Sequence, residues 1–520
     1  PSVIKTTVYF GLVFLLVLIF NTVTISKQRL INLLYADRKN EVFKTPRLLL
    51  SVLLFLVSLG CLGYAYRAVL SGGPAAVLDK TTLITAVISG IIGTFLFFFS
   101  LSGFFLKLIQ QSKKLYLKNL NLFILRQINS KINTAYVSMT MVCLMLFVSF
   151  TTLSSGMGLA SSVTEEMHKN APVDASFSVY AKTDKTVYPG MDLIAAAKKQ
   201  GVDLSSFSKD SLAVRYYDAG FSVPLKVVEN GRELIIDTDV YVLKLSDYNA
   251  ILALQGVSPI ALDENAYAVN FAVINMAFRN AARDYMSANS TVELGNKTLQ
   301  TVPSLFYRYT LEVSRNIDYN LNLIVDDDLV TGLPIFRDVL HLNFPQQTQE
   351  YEKLCASGLS ELSLGANAAS TLQTKAEVQE VSNSATTVIS YIAVYLGIIF
   401  LITAAAVLAI GQLSETDDNI GRYGLLRKLG VEESMIKRAL FAQIAIYFGV
   451  PMLLALAHSA VGVSVAGKLV GAFDQGSIWS GSLFTAAALL VIYGGYFLAT
   501  YAGSKNILNR DYAQSKKGIE

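Results

Sequence analysis

The sequence has 520 residues, 52% of them hydrophobic and 16% charged, with a mean hydropathy of +0.45. A chain of this length and apolarity falls outside the ordinary soluble class and reads as an integral membrane protein. The formal net charge is only +4, and three widely spaced cysteines, Cys61, Cys143 and Cys355, exclude a disulfide framework or a CxxC metal site.

The chain opens at Pro1 without an initiator methionine, and we expect an upstream part to be missing. Seven apolar stretches follow, near 6–25, 48–70, 83–108, 135–159, 386–413, 440–465 and 483–502, each long enough to cross a bilayer. Basic residues collect in alternate connections: Lys27 to Arg47, Lys107 to Lys131 with Lys113, Lys114, Lys118 and Arg126, the segment from Arg422 to Arg438, and the tail with Lys505, Arg510, Lys516 and Lys517. The positive-inside rule then puts Pro1 outside and Glu520 in the cytoplasm, with Trp479 as an interfacial anchor. No Asp, Glu, Lys or Arg lies in the middle of a span, which argues against a proton-coupled transporter.

The long segment 160–385 therefore lies outside, and it carries about 28 of the 39 acidic residues and about 18 of the 43 basic ones. Residues 174–182 and 212–220 read as strands, and "PLKVVENGRELIID" (224–237) as a hairpin about Asn230-Gly231. "LSDYNAILALQG" (245–256) reads as a helix with Ser246 as N-cap and Gly256 as stop. The fold class predicted is a polytopic α-helical membrane protein with a large extracellular α+β domain. Its parts are four spans in 1–159, the external domain in 160–385, and three spans with a cytoplasmic helix, about 414–430, in 386–520. The sequons at Asn289 and Asn296 are frequent chance patterns.

Several catalytic signals are absent or incomplete. "GVSVAGKL" (462–469) has Leu469 where a phosphate-binding loop needs a hydroxyl, and reads as a helix end with a snorkelling Lys468. His458, in "LLALAHSAV", has no second metal ligand nearby and reads as a helix-packing hydrogen-bond donor or acceptor. HExxH and GxSxG motifs are missing, so a membrane protease or hydrolase has no foothold.

The stretch "SETDDNIGRYGLLRKLGVEESMIKRALF" (414–441) is the most informative. Ile420, Tyr423, Leu426 and Leu429 recur every third residue as an apolar stripe, with Arg422, Arg427 and Lys428 projecting elsewhere. Ser414, Glu415, Asp417 and Asp418 suit the first turn of this helix and Gly430 its C′ position. An interfacial helix resting on lipid headgroups gives the same pattern.

"RYGLLRKLGVEESMIKRALFAQ" resembles the cytoplasmic coupling segment of FtsX-like ABC transporter permeases. "YFGVPMLLALAHS" (447–459), "LKLSDYNAILALQG" and the order of four spans, external domain and three spans resemble the Bce-type branch. The resemblance implies a ten-span protein of which this is the fourth span onward. It implies a non-catalytic permease subunit, with ATP and Mg bound by partner ABC ATPase subunits acting as a dimer. Residues Arg422, Tyr423, Leu425, Leu426, Arg427, Lys428, Leu429, Gly430 and Val431 would couple to that ATPase, and Pro451 would kink the next helix. Further implied partners are a sensor histidine kinase, a lipid-carrier-bound antimicrobial peptide such as bacitracin, held within 160–385, and membrane lipids, with no nucleic acid. The expected location is the cell membrane of a Gram-positive bacterium. Two other readings stay open: an FtsX-like mechanical transmitter acting on lipoproteins or cell-wall hydrolases, and a membrane sensor that only assembles signalling partners.

Overall fold

The computed structural model describes residues 2–26, 48–71, 79–111, 120–169, 171–183, 188–229, 232–273, 276–295, 297–314, 320–471 and 478–517. The Asn230-Gly231 turn, Asn296, the basic connections 27–47 and 112–119, and the side chains of Lys468 and Trp479 lie outside the described residues. Helix α1 (Ser2–Ser26) belongs to a unit of its own, Pro1–Arg47.

The remaining unit begins with α2 (Leu48–Ser71), α3 (Lys80–Gln111) and α4 (Asn121–Lys169). The external domain follows: β1 (Ala175–Ala181), α5 (Leu193–Lys199), β2 (Asp210–Glu229), β3 (Arg232–Lys244), α6 (Leu245–Leu254), β4 (Ala268–Asn270) and α7 (Met276–Ala288). It continues through β5 (Thr291–Leu294), β6 (Lys297–Gln300), β7 (Phe306–Tyr307), β8 (Leu321–Val325), β9 (Ile335–Asn343), α8 (Gln349–Ser360) and β10 (Ala368–Thr374). The chain then returns through α9 (Lys375–Asp418), α10 (Ile420–Lys428), α11 (Glu433–Gly471) and α12 (Ile478–Lys517). Among the described residues, seven helices are long and apolar enough to cross a membrane, and they coincide with the seven predicted stretches.

Helix packing in the bundle depends on small residues, because lipid offers apolar side chains as good a medium as another helix does. A Cβ on Gly156 of α4 would stand 2.1 Å from the Ala393 Cβ of α9, so only glycine fits there. One helical turn away on α9, Gly397 lies against Leu153, and its carbonyl accepts from Ser149 Oγ at 2.6 Å. Gly462 of α11 gives Thr151 of α4 the same clearance. Around these contacts Phe98, Met139, Leu146, Leu401, Leu408 and Ile444 form a fully buried core.

The external domain is built on a mixed eight-stranded sheet in the order β10-β1-β9-β2-β3-β8-β4-β7, with β5-β6 as a separate ribbon. Strand alternation sends Val240 and Val242 to the face covered by Phe278, Ala282 and Met286 of α7. Tyr241 and Leu243 turn to the opposite face, under Tyr248, Ile251 and Leu252 of α6. The two predicted runs 212–220 and 224–229 are one 20-residue strand, β2, with a register shift between Asp218 and Ser222. Gly220 takes φ +77° at that irregularity, and its N–H donates to Asp218 Oδ1. Ser246 is not the N-cap of α6. The N-cap is Lys244, two residues earlier, and Asp327 supplies the cap from a distant turn by accepting from the Ser246 N–H at 3.1 Å. Gly256 does stop it: at φ +70° its N–H reaches Ala253 O while that of Val257 reaches Leu252 O, a Schellman arrangement.

Candidate functional site: the α10 end and the helical neck

Ile420–Lys428 folds as a short helix between two spans, and the Gly430 signal works as predicted. At φ +81° Gly430 donates to Arg427 O and Val431 to Leu426 O, so the chain turns sharply into α11. Ser414, Glu415, Asp417 and Asp418 lie elsewhere than predicted: they complete the last turns of α9 instead of opening α10. The boundary is Asn419, which is buried and uses Nδ2 to satisfy the carbonyl and carboxylate of Glu415 at 2.9 and 3.0 Å.

The predicted stripe also splits. A spacing of three falls about 60° short of a full turn each time, so three such steps carry a side chain about 180° around the helix. Ile420, Tyr423 and Leu426 accordingly face the bundle, whereas Leu429 is 79% exposed. Tyr423 is buried edge-on to Phe123, with its hydroxyl 3.0 Å from Gln443 Oε1, and burial pushes its phenol well above the usual range. Arg427, expected outside, is turned inward. Its Nε lies 2.5 Å from Glu433 Oε1 and its Nη1 donates to Leu508 O at 3.3 Å, tying α10 to the start of α11 and the end of α12. The inward set is Ile420, Tyr423, Leu426 and Arg427, at helical spacings of three and four. What remains outside is a ridge of Arg422, Leu425 and Leu429, flanked by Lys428 and Gly430, with Leu425 60% exposed.

Two long helices link this end to the external sheet. α4 has 49 residues and α9 has 44, or about 74 and 66 Å at 1.5 Å per residue. α9 starts without a linker from the edge strand β10, fixed by a capping box: the Glu377 N–H donates to Thr374 Oγ1, and the Thr374 N–H to Glu377 Oε2. Beside it, Asp174 closes the neck where α4 enters the sheet. Its carboxylate accepts from the Phe344 N–H at 2.9 Å and Gln347 Nε2 at 2.8 Å, and its carbonyl accepts from the Lys375 N–H. Local sequence carried no signal for Asp174, because its partners lie about 170 residues away in the chain. Pro451 sits within the continuous helix α11. It leaves the Tyr447 carbonyl without a helical donor, and the neighbouring Phe448 carbonyl accepts from Tyr493 Oη at 2.9 Å. Among the described residues no group of acidic, histidine or cysteine side chains could hold a metal.

Seven spans interrupted by an extracellular α+β domain, with a short helix between two of the last spans, define a multi-pass cell-membrane protein. In sequence the likeness is to ABC transporter permeases of the Bce type. The bacitracin export permease BceB of Halalkalibacterium halodurans is 22% identical, over 88% of this chain and 69% of that one. BceB of Bacillus subtilis is 22% identical over 95% of this chain and 74% of its own, and the ABC transporter permease YxdM of the same organism 22% over 79% and 61%. No family model matches the chain. Among solved structures, the periplasmic region of MacB from Actinobacillus actinomycetemcomitans aligns with 40% of this chain and 92% of its own at 10% identity and a TM-score of 0.21, which carries no argument.

Proposed function

We propose that the chain is the membrane half of a machine driven from its cytoplasmic end. Partner ABC ATPase subunits, acting as a dimer and carrying the ATP and Mg, dock on the ridge of Arg422, Leu425, Lys428 and Leu429. Their closure moves α10, and α9 carries that movement to the sheet. The observation that carries this reading is the continuity of α9, which is capped in the external domain by Thr374 and ends at the Asn419 joint. Tyr423 and Arg427 serve as the inner fastening of α10, so that a push on the ridge reaches α9, α11 and α12 together.

The external domain is the working end. Its acidic balance suits a cationic antimicrobial peptide held on a lipid carrier, bacitracin-like, which the stroke would release from its target. Signalling to a sensor histidine kinase would use the same movement. Replacing Leu425 and Leu429 with Asp changes only exposed side chains, so the protein should insert and fold normally. The double variant should lose co-purification with the ATPase and at least ten-fold in peptide resistance. Normal ATPase association would contradict the docking site, and normal association with unchanged sensitivity in a deletion strain would favour transmission to lipoproteins or cell-wall hydrolases.

A further inference from the structure

His458 lies 6% exposed in the bundle, where α11 passes between α2, α3 and α4. Its Nδ1 meets the Tyr66 hydroxyl of α2, and its Nε2 lies 2.9 Å from Thr94 Oγ1 of α3. The direction of every hydrogen bond here follows from the last link. Thr94 Oγ1 is fully buried and lies 2.7 Å from the Gly90 carbonyl, to which it gives its one hydrogen. Towards His458 the threonine can therefore only accept, so Nε2 carries the proton. A neutral imidazole has one N–H, which leaves Nδ1 as the acceptor for Tyr66.

The run is thus Tyr66 O–H to Nδ1, Nε2–H to Thr94, and Thr94 O–H to Gly90, with every donor matched in one sense only. Leaving any of these groups unpaired away from water costs free energy, so the three helices are held as a set. Four residues further along α11, Gly462 allows close approach to Thr151 of α4, and the Ser459 hydroxyl lies 3.4 Å from the Phe147 carbonyl. The helix is therefore gripped on both sides over 458–462. Between that grip and the coupling end at Glu433 stands Pro451, where the helical ladder is interrupted.

We propose that Tyr66, His458 and Thr94 form a tautomer-locked clasp that makes α2 and α3 one body with the part of α11 beyond Pro451, so that a movement of α10 bends α11 at Pro451 and leaves that body in place.

Two measurements on the full chain in lipid nanodiscs test this. The chain has three histidines, so 15N-histidine spectra of the wild type and of His458→Gln identify the His458 signals by difference. The Nε2–H tautomer is expected, and an Nδ1–H tautomer would overturn the clasp. For the rigid-body claim, spin labels are placed at exposed positions 64 on α2 and 453 on α11, with Cys61 replaced by Ala and the buried Cys143 and Cys355 left in place. The 64–453 distance distribution should be narrow, and at least two-fold narrower than that between 64 and 438. Tyr66→Phe, which removes only the donor, should broaden the 64–453 distribution about two-fold. His458→Leu should do the same, and His458→Gln, whose amide offers both a donor and an acceptor, should restore it. An unchanged distribution in Tyr66→Phe, or equal widths for the two pairs in the wild type, would refute the proposal.

Discussion

The two ends of α9 are built on opposite terms. At the neck, the hydrogen-bonding groups of Thr374, Glu377 and Asp174 find partners within the chain, and the helix grows directly out of a strand. At the α10 end, the inward face of α10 is fastened just as well through Tyr423 and Arg427, yet Leu425 and Leu429 are left in the open beside Arg422 and Lys428. An end with its polar groups satisfied and its apolar groups covered is a joint. An end that is internally secured but apolar outside is a handle, since a helix held that firmly would otherwise gain by covering its leucines. The molecule thus has one end closed on itself and one end with apolar side chains left open, where we propose that a partner docks.

The contrast can be broken most severely in the middle, where α9 leans on α4. Gly156→Val asks Ala393 to give way by more than an ångström, and the helices have to separate. We expect a loss above about 3 kcal/mol, at the upper end of overpacking costs, seen as failure to survive detergent extraction. Normal yield and stability would show that the approach of α4 and α9 is not what holds the bundle. A smaller break is made at the neck: Asp174→Ala leaves the Phe344 N–H without its acceptor and removes the Gln347 link. About 2 kcal/mol should be lost, read as faster proteolysis at 171–175 with binding of the proposed ATPase at the α10 end retained.

A subtler test uses pH, and it separates the sheet from the bundle. His341 of β9 is wholly buried, with Nδ1 3.2 Å from Ser176 Oγ and, among the described residues, no partner at Nε2, and burial followed by the nearby Arg337 lowers its pKa to about 3. In the unfolded chain it takes up a proton near pH 6.5, so in this interval the unfolded state binds more protons. Its contribution is therefore fully present above pH 6.5 and is lost as pH falls towards 3. From pH 6.5 to 5 the wild type should lose about 2 kcal/mol of external-domain stability that His341→Gln does not lose. Parallel denaturation curves for the two proteins across that interval would remove His341 from the account.

What was legible in the sequence follows the reach of each interaction. Gly256 and Gly430 were readable because a left-handed turn is dictated within a few residues, and the β2–β3 pairing because its two runs are adjacent in the chain. The α6 cap was not, because Asp327 reaches it from 81 residues away. The acids before Asn419 looked like the opening of a helix, although the preceding span continues through them, and charge alone does not mark which of two abutting helices owns a residue. Leu429 was misassigned for a purely geometric reason. A period of three drifts around a helix of 3.6 residues per turn, and the inward set is Ile420, Tyr423, Leu426 and Arg427, an arginine that apolarity alone passes over.

The central claim is that α9 transmits as a rigid rod, and one distance decides it most directly. Spin labels at exposed positions 228, in the external hairpin, and 453, on α11, report how the sheet stands on the bundle. In the complex with the proposed ATPase, trapping ATP should shift this distance in the wild type. A glycine pair at Ala406 and Val407, which weakens the helix by about 2 kcal/mol where it crosses the bundle, should abolish the shift while ATPase binding persists. The same shift in the glycine variant would mean that movement reaches the external domain by another route, and that α9 is a tether and not a rod.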